Sequence, residues 1–220
     1  CFKDAQADDA RLVLRLIMEG CAQGGTALNY TKVSGLERDQ QGGVAGIVAE
    51  DVETGESVEL RTRVVINATG PWAENLHPSP VQGCHIRPLR GSHLVFPEKF
   101  VAIDRVLSFF HPRDKRPVFL YPWENRLMVG TTDVDHSAPL DSEPGINLEE
   151  ANYLMEAAEH ILPGLKLTEQ DCISSFAGVR PVLSSGGKSA SKESRDHVVW
   201  EDKGLVTVTG GKLTTFRLIA

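Results

Sequence analysis

Arg180, in Gly178-Val179-Arg180-Pro181, and His93, in Arg90-Gly91-Ser92-His93, are basic groups set beside glycine, proline or serine. So are Arg195, in Ser194-Arg195-Asp196-His197, and Lys212, in Thr209-Gly210-Gly211-Lys212-Leu213-Thr214-Thr215-Phe216-Arg217. Cations at strand ends and tight turns suit a small anionic ligand, a phosphate or a carboxylate, because they supply charge-assisted donors. The alternative is a set of unrelated surface charges. The 209–217 run adds a strand leading into two glycines and then a helix start. Free N–H groups and the helix dipole favour a negative group there. A plain strand–turn–helix junction has the same pattern.

Several other chemistries fail on spacing. The 209–217 run is not a Walker A loop, because Val206 stands where the first glycine is needed; Gly187-Lys188-Ser189 fails likewise at Val182. No GxGxxG occurs, and Gly42-Gly43-Val44-Ala45-Gly46 lies between predicted strands and leads into no helix. The seven histidines include no HxH, HxxxH or HExxH pair, and Cys1, Cys21, Cys84 and Cys172 are far apart, so no metal site is expected. The cysteines read as free thiols of a reducing compartment. Asp133-Val134-Asp135-His136 lacks the glycine a calcium loop needs at its sixth position, and no GxSxG suggests a serine hydrolase.

Composition narrows the class further. The 220 residues are 41% hydrophobic and 24% charged, the balance of a globular protein. A formal net charge of −7, with no clustered Lys and Arg, argues against a nucleic-acid partner. No apolar run approaches the ~18 residues of a membrane span. The start, Cys1-Phe2-Lys3-Asp4, has neither Met nor a signal-peptide layout, and reads as a cut from a longer chain.

These residues need elements to position them. Residues 8–24 are predicted helical: Asp8 and Asp9 suit the first turn, Leu12, Val13, Leu16, Ile17 and Cys21 form an apolar stripe, and Gly24-Gly25 stops it. Strands follow at Thr26–Arg38, Val44–Val52 and Val58–Asn67, the last ending in a β-branched run typical of a buried strand. The small residues of Asn67-Ala68-Thr69-Gly70-Pro71-Trp72-Ala73 allow close approach of a ligand or of another backbone. Proline and glycine over 71–91 suggest a crossing between domains. Short strands at His85–Leu89, Ser92–Phe96, Val106–His111, Val118–Trp123 and Leu127–Thr131 predict an antiparallel sheet. A helix over 147–162 is capped by Asn147 and ended by Pro163-Gly164. Strands at Asp171–Val179, Asp196–Trp200 and Leu205–Thr209 precede a helix start at Leu213–Ala220.

In combination the motifs resemble the flavin-dependent glycerol-3-phosphate dehydrogenases of the D-amino-acid-oxidase-like flavoprotein superfamily. The stretches carrying the resemblance are Asp8–Val13, Val65–Ala73, Arg87–Val95, Tyr121–Glu124, Val129–Asp133, Ser174–Pro181, Ser194–His197 and Thr209–Arg217, in family order over nearly the whole chain. The resemblance implies a mixed α/β fold: a partial FAD-binding domain with a β-meander, and an antiparallel-sheet substrate domain. The expected divisions are 1–78 for the second part of the FAD-binding domain, 79–170 for the substrate domain, and 171–220 for the return to the FAD-binding domain. The family's N-terminal glycine-rich loop would precede Cys1 and its C-terminal domain would follow Ala220, so this stretch is expected to lack FAD, and activity, by itself.

The resemblance also implies roles. Val33, Thr69 and Gly70 would contact FAD, and Lys212, Leu213, Thr214 and Thr215 would set a helix start against the flavin ring, where reduction leaves negative charge. Arg180, Arg195, Lys212 and His93 would bind glycerol 3-phosphate, and His93, Arg180 and Lys212 form the catalytic set. His93 is the natural base for the C2 hydroxyl, since an imidazole can accept a proton at neutral pH. Arg180 would polarise the developing alkoxide or anchor the phosphate. The expected reaction gives dihydroxyacetone phosphate, with electrons passing to a quinone. The alternatives are an oxidase using oxygen, a superfamily enzyme acting on amines or 2-hydroxy acids, and a fragment inactive by itself. The resemblance further implies a cytoplasmic protein, peripheral on the inner membrane, and allows a homodimer.

Overall fold

The computed structural model describes residues 5–76, 85–100, 103–184 and 196–220. Cys1, Cys84, the 78/79 division, Gly187-Lys188-Ser189 and Arg195 lie outside them. The chain divides into two units: Cys1–Asn67 with Val199–Thr207 and Gly211–Ala220, and Ala68–Val198 with Val208–Gly210.

In the first unit, Asp8 accepts a hydrogen bond from Arg11 N and starts α1 (Asp9–Ala22). Gly24, at φ +94°, ends it: Gly24 N donates to Cys21 O and Gly25 N to Gly20 O, a Schellman pair. The apolar stripe behaves differently from expectation, since no residue of α1 is buried. Caps at both ends and an Arg15–Glu19 pair support this helix locally, independent of packing. β1 (Thr31–Arg38), β2 (Val44–Asp51) and β3 (Ser57–Arg61) form the expected antiparallel meander, with Ser34 bulged between Val33 and Gly35.

The predicted strand over 58–67 is two strands. Thr62 Oγ1 donates to Val64 O, turning the chain between β3 and β4 (Val65–Asn67). β4 pairs in parallel with β12 (Leu205–Gly210), and β11 (His197–Asp202) lies beyond β12. The β-branched run is not buried: Ile66 is 69% exposed, and Asn67 is the buried residue. Alternation sends Asn67 to the face of Thr207, whose Oγ1 accepts from Asn67 Nδ2, and Ile66 to the other face.

The second unit is built on a six-stranded sheet. Its path is β10 (Ser174–Ser184), β5 (His85–Phe96), β8 (Arg126–Gly130), β7 (Pro117–Trp123) and β6 (Leu107–Phe110), with β9 (Val134–Asp135) pairing β5. β5 is one strand where the sequence suggested two, because Arg90-Gly91 makes no turn. Gly91 lies opposite Gly178 in an unbroken ladder with β10.

Successive side chains of β5 alternate between faces. Leu94 and Phe96 join Val118, Leu120, Leu127 and Val129 in a core covered by Leu154, Ala157 and Ala158 of α2 (Leu148–Ile161). Asn147 caps α2 as the sequence predicts, and with Glu150 it forms a capping box. The last segment is a 3₁₀ turn, Leu213–Thr215, and a short α3 (Phe216–Ile219). Among the described residues no helix is long and apolar enough to cross a membrane.

Candidate functional site

With α2 against one face of the sheet, Leu89, Gly91 and His93 of β5 point to the other. Cross-strand partners share a face, so Phe176 and Arg180 of β10 join them, as do Gly130 of β8 and Phe119 of β7. One row across the sheet reads Phe176, His93, Gly130, Phe119. His93 stacks on Phe176, with ring centroids 4.7 Å apart and planes within 6°. The guanidinium of Arg180 lies over Gly91. Arg180 Nη2 donates to Thr131 Oγ1 at 3.0 Å and Nη1 to Thr132 O at 3.4 Å.

The buried carboxylate of Asp133 sits 3.6 Å from Arg180 Nη1 and 2.8 Å from Arg116 Nη2. The Arg180 side chain is 35% exposed, so an anion from solvent can reach it. His93 Nδ1 is buried and makes no hydrogen bond among the described residues. Burial, and secondarily the field of Arg180, push its pKa down from 6.5 to about 4. The ring is therefore neutral at pH 7 and able to accept a proton.

A pH dependence follows. The folded-state pKa of His93 is depressed, so protonation favours the unfolded chain. The stability held by its neutral ring is fully present above the ordinary value of 6.5 and is lost as pH falls from there through about 4. An NMR titration of the ring should show a midpoint near 4 in the folded protein. A midpoint at the ordinary histidine value would overturn this electrostatic picture.

Behind the face, Glu150 fixes the loop that carries Thr131, Thr132 and Asp133. Its carboxylate accepts from Arg90 Nη2 at 2.5 Å, Ser92 Oγ at 2.9 Å, Thr132 Oγ1 at 2.7 Å and Asn147 N at 3.2 Å. Burial raises the pKa of this carboxyl, but the hydrogen bonds together outweigh that and hold it below the usual range. Arg90, one of the cations near glycine, thus points away from the site and serves the junction of α2 with the sheet.

The structure brings His93 and Arg180 together on one face. Thr69 is exposed at the start of a 3₁₀ turn, Gly70–Asn75, and Gly70 O accepts from Thr209 Oγ1 at 3.5 Å. In the first unit, Val33 is 38% exposed beside the β1 bulge. Lys212, Thr214 and Thr215 are exposed and Leu213 is half-buried. Arg195 lies outside the described residues.

Sequence reasoning missed Phe176, Arg116, Asp133 and Glu150 as parts of the site. Each acts through a partner distant in sequence, as Arg116 does with Asp133. The one local signal was glycine beside a cation in Arg90-Gly91-Ser92-His93. Among the described residues no group of three or more His, Cys, Asp or Glu side chains could hold a metal ion.

Residues 1–217 match the family described as FAD dependent oxidoreductase. The chain is 34% identical over 222 residues to the aerobic glycerol-3-phosphate dehydrogenase of Bacillus subtilis. It is 33% identical over 226 residues to that of Staphylococcus haemolyticus; each match takes in 100% of this chain and 40% of the relative. The X-ray structure of the glycerol-3-phosphate dehydrogenase from Bacillus halodurans complexed with FAD is similar at a TM-score of 0.86 and 33% identity, over 97% of this chain and 41% of that one. The L-α-glycerophosphate oxidase of Mycoplasma pneumoniae, at a TM-score of 0.59 and 20% identity over 86% of this chain and 48% of that one, shares the fold. The chain spans about 40% of the length of the curated relatives it matches.

Proposed function

Because the chain belongs to the FAD dependent oxidoreductase family, we propose that it serves the oxidation of sn-glycerol 3-phosphate to dihydroxyacetone phosphate. The observation that carries this is the sheet face on which the solvent-reachable guanidinium of Arg180 stands beside the neutral imidazole of His93. The relatives' names point to the same substrate.

Glycerol 3-phosphate demands a cation for its dianionic phosphate and an acceptor for the proton of its C2 hydroxyl. Arg180 anchors the phosphate through charge-assisted hydrogen bonds. His93 takes the hydroxyl proton as C2 gives up its hydrogen with the bonding pair, leaving the ketone. Phosphate bound at Arg180 offsets the field that helps depress the His93 pKa, so substrate itself makes His93 a better base. Bound FAD supplies the hydride acceptor, its N5.

The residues present fit that cofactor. Gly70, at φ +61°, has open space where a Cβ would project, so a ligand can approach its backbone closely. In this proposal Val33, Thr69, Gly70, Lys212, Leu213, Thr214 and Thr215 would hold it, Lys212 offering positive charge to the reduced ring. Arg195 is a further phosphate ligand in this proposal. We assign a quinone as the electron acceptor, at the cytoplasmic face of the inner membrane, and a homodimer as the assembly; these rest on the family resemblance alone.

The test is anaerobic addition of sn-glycerol 3-phosphate to the intact FAD-loaded enzyme, followed at the flavin band near ~450 nm that is lost on reduction. Rapid bleaching is expected. Bleaching by an amino acid or a 2-hydroxy acid, and none by glycerol 3-phosphate, would overturn the substrate assignment.

A further inference from the structure

Resting on the assignment of Arg180 and His93 to the substrate, we propose that Gly91 and Gly130 are positioning residues, each omitting the Cβ whose place a functional side chain takes. A Cβ built on Gly91 would overlap Nη1, Nη2 and Cζ of Arg180. One built on Gly130 would overlap the His93 ring and lie 2.6 Å from its Cγ. Neither glycine has the left-handed backbone that would by itself call for glycine. Space alone makes the demand. Gly178, opposite Gly91 in the ladder, gives the contrast: a Cβ there meets nothing within 4 Å.

Each functional group is thereby held from two sides. The Arg180 guanidinium is confined between the bare backbone of Gly91 and the groups at Thr131 and Asp133. The His93 ring is confined between Gly130 and Phe176. The two alanine variants should fail differently. At 91 the obstructed atoms are the far end of a flexible side chain, so the fold tolerates the change and the guanidinium moves. At 130 the obstruction reaches Cγ, near the root of the ring, so the whole imidazole must rotate off Phe176.

The experiment uses the intact FAD-loaded enzyme. Gly91→Ala should raise KM for sn-glycerol 3-phosphate with kcat little changed, since the phosphate anchor is displaced. Gly130→Ala should lower kcat with KM little changed, by about 10²-fold for a misplacement of ~1 Å. Double-mutant cycles separate positioning from general damage. Gly91→Ala should add nothing in an Arg180→Ala background, and Gly130→Ala nothing in a His93→Ala background. Additive losses in both backgrounds would overturn the proposal.

A second readout is independent of turnover. Gly130→Ala should move the NMR titration midpoint of His93 from about 4 up toward its ordinary value, as the ring leaves its burial. An unmoved midpoint would also overturn the proposal. If His93→Ala and Arg180→Ala leave flavin reduction intact, the functional assignment fails, and this titration still decides whether Gly130 positions the ring. If Gly91→Ala does not fold, Gly91→Ala/Arg180→Ala removes the overlap. Recovered folding supports the proposal, and persistent unfolding counts against it.

Discussion

Replacing Arg180 with alanine is expected to lower kcat/KM for sn-glycerol 3-phosphate by about 10²- to 10³-fold, the loss typical of truncating one partner of a desolvated charge pair. Without Arg180 the phosphate loses the solvent-reachable guanidinium that would engage it on this face. His93 also loses part of the field that depresses its pKa, so its titration should move upward in the same variant. Arg180→Lys should fall between, because an ammonium keeps the charge but lacks the planar fork that engages Thr131, Asp133 and a phosphate together. Stopped-flow reduction of the FAD-loaded variants measures the effect, and an unchanged kcat/KM in Arg180→Ala would remove the anchoring role.

Glu150→Ala should destabilise the second unit by about 3–5 kcal/mol, the cost of leaving a buried charge without its partner. Arg90 is 15% exposed and Glu150 is 3% exposed, so little water is available to solvate the abandoned guanidinium. Ser92 and Thr132 lose their acceptor in the same step. Denaturant unfolding monitored on the second unit provides the measurement, and a loss below about 1 kcal/mol would show that water or a neighbour replaces the carboxylate.

The pH dependence of that contribution has a definite sign. The Glu150 pKa is lowered on folding, so its stabilisation is complete above the ordinary carboxylate value and disappears as pH falls through the lowered one. Glu150→Gln should therefore flatten the acid limb of the stability profile. Thr132 accepts this carboxylate's constraint on one side and receives Arg180 Nη1 at its carbonyl on the other. The same variants should loosen the site as well as the fold.

Much of the architecture was legible wherever its cause is local. Asp8, Asn147 and Gly24-Gly25 mark helix ends because caps satisfy orphan backbone groups within a few residues. The meander and the antiparallel character of residues 85–135 follow from alternation and turn residues. Misreadings arose where the deciding partner is distant. Arg90-Gly91 looks like a turn in sequence, but the ladder with Ser174–Ser184 keeps it extended. Val64-Val65-Ile66 looks like a buried strand, but among the described residues β4 pairs with β12 alone, and its alternation buries Asn67.

For the candidate site, the sequence by itself determined the chemical inventory: an imidazole in His93, a fixed cation in Arg180, and glycine beside them. It also carried the motif order that places the chain among FAD dependent oxidoreductases, a family that matches residues 1–217. Only the tertiary structure decided which cations share a face. Arg90 and His93 are three residues apart, yet strand alternation sends one to Glu150 and the other to the open side. Arg180 reaches His93 through strand pairing across more than eighty residues of chain. The protonation state of His93 belongs to the fold for the same reason: burial and the charge of Arg180 set it, and neither exists in the extended chain.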